Sequence, residues 1–218
     1  MKGVNQSTSA ARSGTSTLGP DRVAFALQGR ELPEDRGAEV RLRRSEGAGA
    51  SVGAAAGGKL KKAVLELGGS DPFIVMPSAD FDRAVETAVK ARTINNGQSC
   101  IAAKRFIVHA DIAPAFERAF VAAMAALRIG DPTDPATQVG PLVNAQAVRH
   151  LEGKVTESVQ RGAVLLTGGQ RLPRPGFYFQ PTVLARIPED TPAYRDELFG
   201  PVASLFVAKD AADAVRIA

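Results

Sequence analysis

The chain of 218 residues contains one cysteine, Cys100, and two histidines, His109 and His150. A single thiol excludes an internal disulfide and every multi-cysteine metal site, and two isolated imidazoles do not make a zinc site. No metal centre is expected, and the compartment implied is the reducing cytosol. No apolar run approaches the roughly 18 residues needed to span a bilayer, and nothing near Met1 resembles the apolar core of a secretory signal. Acidic residues are missing from residues 1–20, where half the positions are Ser, Thr or Gly. No helical or strand period can be counted there, so that segment is expected to be disordered. Positive charge is also unevenly spread, since residues 1–44 hold eight Lys/Arg against five Asp/Glu and leave the remainder near neutral. With no aromatic interleaving beyond Phe25, this is the balance of a solvated tail and not of a nucleic-acid surface.

What is present is an ordinary globular composition, 44% apolar and 23% charged, long enough to bury a core. Residues 21–44 read as charged and irregular; Val23, Phe25 and Leu27 alternate and could form one short strand, with nothing after them to sustain a fold. Order is expected from Ser45. A small-residue helix is predicted over Ala50–Leu60, a strand over 63–67 closed by Gly68-Gly69, and a second strand over 72–76. Asp80 is a plausible cap for a helix presenting Phe81, Ala84, Val85, Ala88 and Val89 on one face. Beyond Cys100, Arg105–His109 reads as a strand, and Ile112, Phe116, Phe120, Met124 and Leu127 mark an amphipathic helix. Asn144 can cap a further helix ending at Gly162, strands are predicted over 163–167 and 202–207, and a last helix begins at Asp210. Strand and helix alternate, which argues for an open α/β sheet, largely parallel.

Cys100 closes the stretch Asn95-Asn96-Gly97-Gln98-Ser99-Cys100, between a helix and a strand. A lone cysteine is ordinarily a small buried hydrophobe. As a nucleophile it must instead be reachable and react as thiolate, with Gly97 giving the backbone room for close approach. Of the other chemistry-bearing residues, His109 reads as a strand residue, His150 as a helix-surface residue, and Lys104-Arg105 as a solvated strand end.

Three stretches, Leu65-Glu66-Leu67-Gly68-Gly69, Asn96–Cys100 and Glu197-Leu198-Phe199-Gly200-Pro201, resemble the signature stretches of the NAD(P)-dependent aldehyde dehydrogenase superfamily. They occur in family order, with Glu66 34 positions before Cys100 and Glu197 97 positions after it. The runs Gly68–Ala79 and Gly97–Ala110 most resemble the bacterial succinate-semialdehyde dehydrogenase branch. The resemblance covers about Ser45 to Ala218. It implies NAD(P)-dependent oxidation of an aldehyde, succinic semialdehyde or a similar short semialdehyde, through a cysteine thioester. By the same resemblance Cys100 is the nucleophile and Glu66 the general base, a role that partial burial would help by raising its pKa. Cofactor contacts fall to Ser45, Gly49, Leu67, Glu197 and Phe199. The cofactor is NAD or NADP, the branch leaning to NADP.

Residue types alone leave blander readings open: Glu66 as a strand-end carboxylate paired with Lys61 or Lys62, Phe199 as core and Glu197 as solvated. The resemblance also breaks in places. Family members are more than twice this length, and position 44, where the cofactor loop has glycine, is Arg44. Residues 45–66 therefore read as a remnant of a cofactor-binding domain and 67–218 as a catalytic domain lacking its C-terminal end and oligomerisation strand. The change near Arg44 is what a frameshift or a miscalled start would produce. Two other functions stay open: an inactive fragment, or an esterase needing no cofactor. No nucleic-acid or membrane partner is expected.

Overall fold

The computed structural model describes residues 22–24, 39–43 and 46–218, and they form two compact units, divided between Gly68 and Gly69. The N-terminal unit holds a three-stranded parallel sheet of β1 (Arg22–Ala24), β2 (Glu39–Arg43) and β3 (Ala63–Glu66), in that order. Helix α1 (Glu46–Gly58) packs on β3, with Val52 and Ala56 buried against Ala48, Ala63 and Leu65. Two strands therefore lie within the stretch read as irregular, and α1 starts before Ala50. Glu39-Val40-Arg41-Leu42-Arg43 does carry the apolar/charged alternation of a strand, but with only two apolar residues in a charged stretch it reads as irregular. Parallel pairing with Ala63–Glu66 supplies the context that the local pattern lacks.

The C-terminal unit is built on a five-stranded sheet in the order β4 (Pro72–Val75), β5 (Arg105–His109), β8 (Val202–Ala208), β7 (Thr182–Ala185), β6 (Val164–Thr167). Pairing is parallel from β4 to β7, and β6 alone is antiparallel. The class is the α/β one the alternation implied. Helices α2 (Phe81–Thr93) and α3 (Ala113–Ala125) cover one face and α4 (Ala145–Gln160), α5 (Pro192–Arg195) and α6 (Ala211–Ile217) serve the other. Because successive strand residues face opposite ways, Phe106 and Val108 enter one core with Phe116, Phe120 and Met124, while Ile107 joins Ala208 and Ala214. Leu184 and Val202 meet Val148, Leu151 and Val155 of α4. Phe106 and Phe120 approach to 4.9 Å between ring centroids, with Phe73 and Phe116 continuing the cluster. Burying each such side chain stabilises the unit by about 1.5–3 kcal/mol.

The helix starts follow the expected capping chemistry. Asp80 accepts from the Arg83 amide at 3.2 Å, Asn144 from Ala147 at 2.8 Å, and Asp210 from Asp213 at 2.8 Å. Gly162, at φ +108°, ends the chain's run out of α4. Met124 is core, and His150 lies exposed on α4. Among the described residues no helix is long and apolar enough to cross a membrane.

Candidate active site

The nucleophile stretch forms a 3₁₀ turn (Ile94–Gly97) that breaks helical geometry: Asn95, Asn96 and Gly97 take φ of 48°, 56° and 74° in succession. Left-handed backbone is unfavourable for most side chains and least so for asparagine and glycine, so the Asn-Asn-Gly order suits the turn. Each amide side chain then ties it down. Asn95 Nδ2 donates to Gln98 O at 2.9 Å; Asn96 Oδ1 accepts from Gly140 N at 2.7 Å while its Nδ2 donates to Pro141 O at 3.3 Å; Gln98 Oε1 accepts from Val143 N at 2.9 Å.

Gly97 also seats the turn. A Cβ placed there would lie 2.1 Å from Gly200 O and 2.4 Å from Gly200 C, so the nucleophile turn rests directly on the Glu197–Pro201 turn. Two signature stretches that are far apart in sequence are thus in backbone contact. Within the second turn Leu198 is buried, Phe199 is 43% exposed, and Gly200 leaves room for Leu151, whose Cδ2 would lie 2.4 Å from a Cβ there. Phe199 is accordingly not core, and Glu197 is not solvated.

Beneath both turns lie two buried cations. Arg92 donates from Nη2 to Gly97 O at 2.9 Å. Lys104, 1% exposed, donates from Nζ to Ser99 O at 3.0 Å, Cys100 O at 2.9 Å and Ala102 O at 2.9 Å, and its Nζ lies 3.2 Å from Glu197 Oε1. Lys104-Arg105 is therefore not the solvated strand end expected from its charge. Three loop carbonyls and a carboxylate solvate the lysine in place of water. Arg105 lies between the Tyr194 and Phe206 rings, 4.8 Å from each centroid, and donates to Tyr194 O and Ile217 O. Burial pushes the Arg92 guanidinium down to about 10, with Glu197 opposing; burial likewise holds Lys104 below the ordinary lysine value, with Glu197 and Asp71 opposing and Arg92 adding to the fall. The carbonyl of Glu197 accepts from Lys154 Nζ at 3.2 Å, and Lys154 also pairs with Asp196 at 3.1 Å.

Cys100 itself is exposed, which removes the buried-hydrophobe reading. Its sulfur is reachable and its backbone is fixed from below. The remaining predicted residues belong to the N-terminal unit. Glu66 ends β3 and is exposed, so the partial burial expected of it is not found. Gly49 is buried on α1, and Leu67 fills the space that a side chain there would need, its Cδ2 lying 2.6 Å from where a Cβ would fall. Ser45 lies outside the described residues. Sequence reasoning missed Arg92, Asn96, Gln98 and Lys104 as builders of the turn; the signal available for Lys104 was its place so close before an apolar strand.

An exposed cysteine thus sits on a turn locked to the Glu-Leu-Phe-Gly-Pro turn on a largely parallel sheet, and the chain belongs to the aldehyde dehydrogenase family, whose model matches residues 34–218. That match begins upstream of Ser45 and runs through Arg44, so β2 lies inside the family region. The chain is 58% identical over 187 residues to succinate-semialdehyde dehydrogenase [NADP(+)] 1 of Mycobacterium tuberculosis, and 55% identical over 187 residues to succinate-semialdehyde dehydrogenase [NADP(+)] of Mycobacterium leprae. Each alignment takes in 86% of this chain and 41% of the relative, so the chain spans well under half the length of these relatives. The solved structure of Gox0499 superposes with a TM-score of 0.80 at 42% identity, covering 84% of this chain and 41% of that one.

Proposed function

We propose that the protein of which this chain forms part oxidises a short semialdehyde, succinic semialdehyde or a close analogue, to the carboxylate, with NADP+ or NAD+ as acceptor. The observation that carries this reading is the exposed Cys100 on a turn locked by Gly97 to the Glu197–Pro201 turn, and the mycobacterial relatives supply the substrate and the preference for NADP.

In this reading the Cys100 thiolate adds to the aldehyde carbon, forming a carbon–sulfur bond as the carbonyl electron pair moves to oxygen. The Cys100 amide N–H would donate to that oxygen. The bound nicotinamide cofactor supplies the hydride acceptor that leaves Cys100 carrying a thioester. Water, deprotonated by Glu66, then attacks the acyl carbon and releases the carboxylate and the thiol. The groups on the C-terminal unit fit a cofactor: Phe199 offers an exposed ring, and Glu197 a carboxylate with one oxygen committed to Lys104. Gly49 and Leu67 would act from the N-terminal unit, where the missing Cβ of Gly49 serves close helix–strand packing.

The test is NADPH or NADH formation from succinic semialdehyde by wild type beside Cys100→Ala and Glu66→Gln. Loss of turnover in both variants is expected. Turnover that survives Cys100→Ala would end the reading. A second reading, cofactor-independent acyl transfer, is favoured by one observation: the whole support of Cys100 lies within the C-terminal unit. Hydrolysis of an activated ester by Cys100, without NAD(P)+, distinguishes it.

A further inference from the structure

Lysine is rarely buried without a purpose, because its ammonium carries three donors and a strongly hydrated charge. Lys104 spends its donors on the carbonyls of Ser99, Cys100 and Ala102, the three peptide groups that define the nucleophile turn, and faces Glu197 Oε1 at 3.2 Å. Glu197 Oε1 and the Lys104 ammonium form an ion pair at that distance, and the pairing favours the charged lysine. The charged groups facing Lys104 are Glu197 and Asp71, which stabilise its positive form, and Arg92, which opposes it. Asp71 is exposed and Arg92 fully buried, so water screens the one and not the other. Two buried cations therefore face one half-buried carboxylate beneath the backbone of an exposed cysteine.

We propose that Lys104 is a positioning residue that fixes the Cys100 turn and places a positive charge behind the thiol, and that Glu197 sets how much of that charge Cys100 feels. The proposal rests on Cys100 being the reacting group of the reading above, and it adds a preference: the site favours carbon electrophiles that carry a negative charge of their own. A semialdehyde with a terminal carboxylate belongs to that class. Lys104 acts through backbone and field and does not touch substrate, since its ammonium is enclosed by the turn.

The unique thiol makes the test specific. On the full chain, alkylation of Cys100 by anionic iodoacetate and by neutral iodoacetamide is followed at one pH by intact mass. The ratio of the two rates reads the local potential, because thiol access and thiolate fraction affect both reagents alike. Lys104→Met should lower the iodoacetate-to-iodoacetamide ratio by threefold or more, whereas Glu197→Gln, which leaves the cation unneutralised, should raise it about twofold. In the double variant the two opposed effects should combine, bringing the ratio back toward the wild-type value. A ratio unchanged in Lys104→Met would leave Lys104 a structural residue only and overturn the proposal. If Lys104→Met does not fold, a ratio unchanged in Glu197→Gln overturns it equally. Neither rate involves cofactor or aldehyde: a shifted ratio with NAD(P)H formation that survives Cys100→Ala sinks the dehydrogenase reading alone, and Cys100-dependent NAD(P)H formation with an unshifted ratio sinks this proposal alone.

Discussion

Helices α1 and α2 are each thirteen residues long, and they are held by different means. α1 is made almost wholly of glycine and alanine, with Gly47, Gly49, Gly53, Gly57 and Gly58 in its length. Each glycine costs about 0.5–1 kcal/mol of helix stability relative to alanine, and the side chains left to bury are small. α2 has no glycine, a carboxylate cap in Asp80, Lys90 and Arg92 in its last turn, and an apolar face against α3. The same contrast runs through the two units. Among the described side chains, the N-terminal unit buries Val52 and Ala56, while the C-terminal one fills both faces of its sheet with Phe, Leu, Ile and Val. The difference teaches that Cys100 is placed by a well-packed framework that also carries Glu197 and Phe199, whereas Glu66, Gly49 and Leu67, the other residues proposed to serve it, belong to the N-terminal unit.

If that contrast is right, truncation of the two cores should differ most. Phe106→Ala, at a position fully buried between Phe73 and Phe120, should cost about 3–5 kcal/mol in urea unfolding of the C-terminal unit. Val52→Ala should cost about 1–2 kcal/mol and leave the amide protection of β5 unaltered. Equal losses would remove the distinction. Next in size is Gly97→Ala, where the new methyl meets the Gly200 carbonyl at a left-handed backbone position; we expect a loss of about 2–4 kcal/mol and detachment of the Cys100 turn, seen as faster amide exchange over residues 96–102.

A smaller effect comes from the buried cations. Arg92 is held at about 10 and Lys104 below 10.5, so in the window beneath their ordinary values the unfolded chain binds more protons than the folded one. Stability then rises with pH: the cost of burying these charges is fully present at neutral pH and fades as pH climbs through the folded values. Wild type should therefore gain stability relative to Lys104→Met as pH rises from neutral toward 10.5, measured by urea midpoints; no gain would contradict the burial geometry. The smallest change is a gain. Gly57→Ala, with open space around its Cβ, should stabilise α1 by up to about 1 kcal/mol, read as roughly fivefold slower exchange of its amides.

Much of the C-terminal unit was legible because its elements carry strong local signals: the period of Phe116, Phe120 and Met124, and the caps at Asp80, Asn144 and Asp210. The family was legible through Cys100 and its spacing to Glu66 and Glu197. What stayed hidden depends on tertiary context. β2 is a strand paired with β3, and its short alternation holds only two apolar residues, too weak a signal to stand out from a charged stretch. Lys104 reads as a surface residue by composition and becomes internal only because three carbonyls and Glu197 surround it. Gly97 could be recognised as a turn glycine, but its contact with Gly200 joins positions that no local pattern relates.

The central claim is that Cys100 is the nucleophile, and acyl-enzyme trapping tests it most directly. Acid quenching of the chain within seconds of adding a p-nitrophenyl ester, followed by peptide mapping, should show one acyl group per chain on the peptide containing Cys100, with a matching burst of nitrophenolate, and neither in Cys100→Ala. An acyl group elsewhere, or a burst that persists in Cys100→Ala, would contradict it.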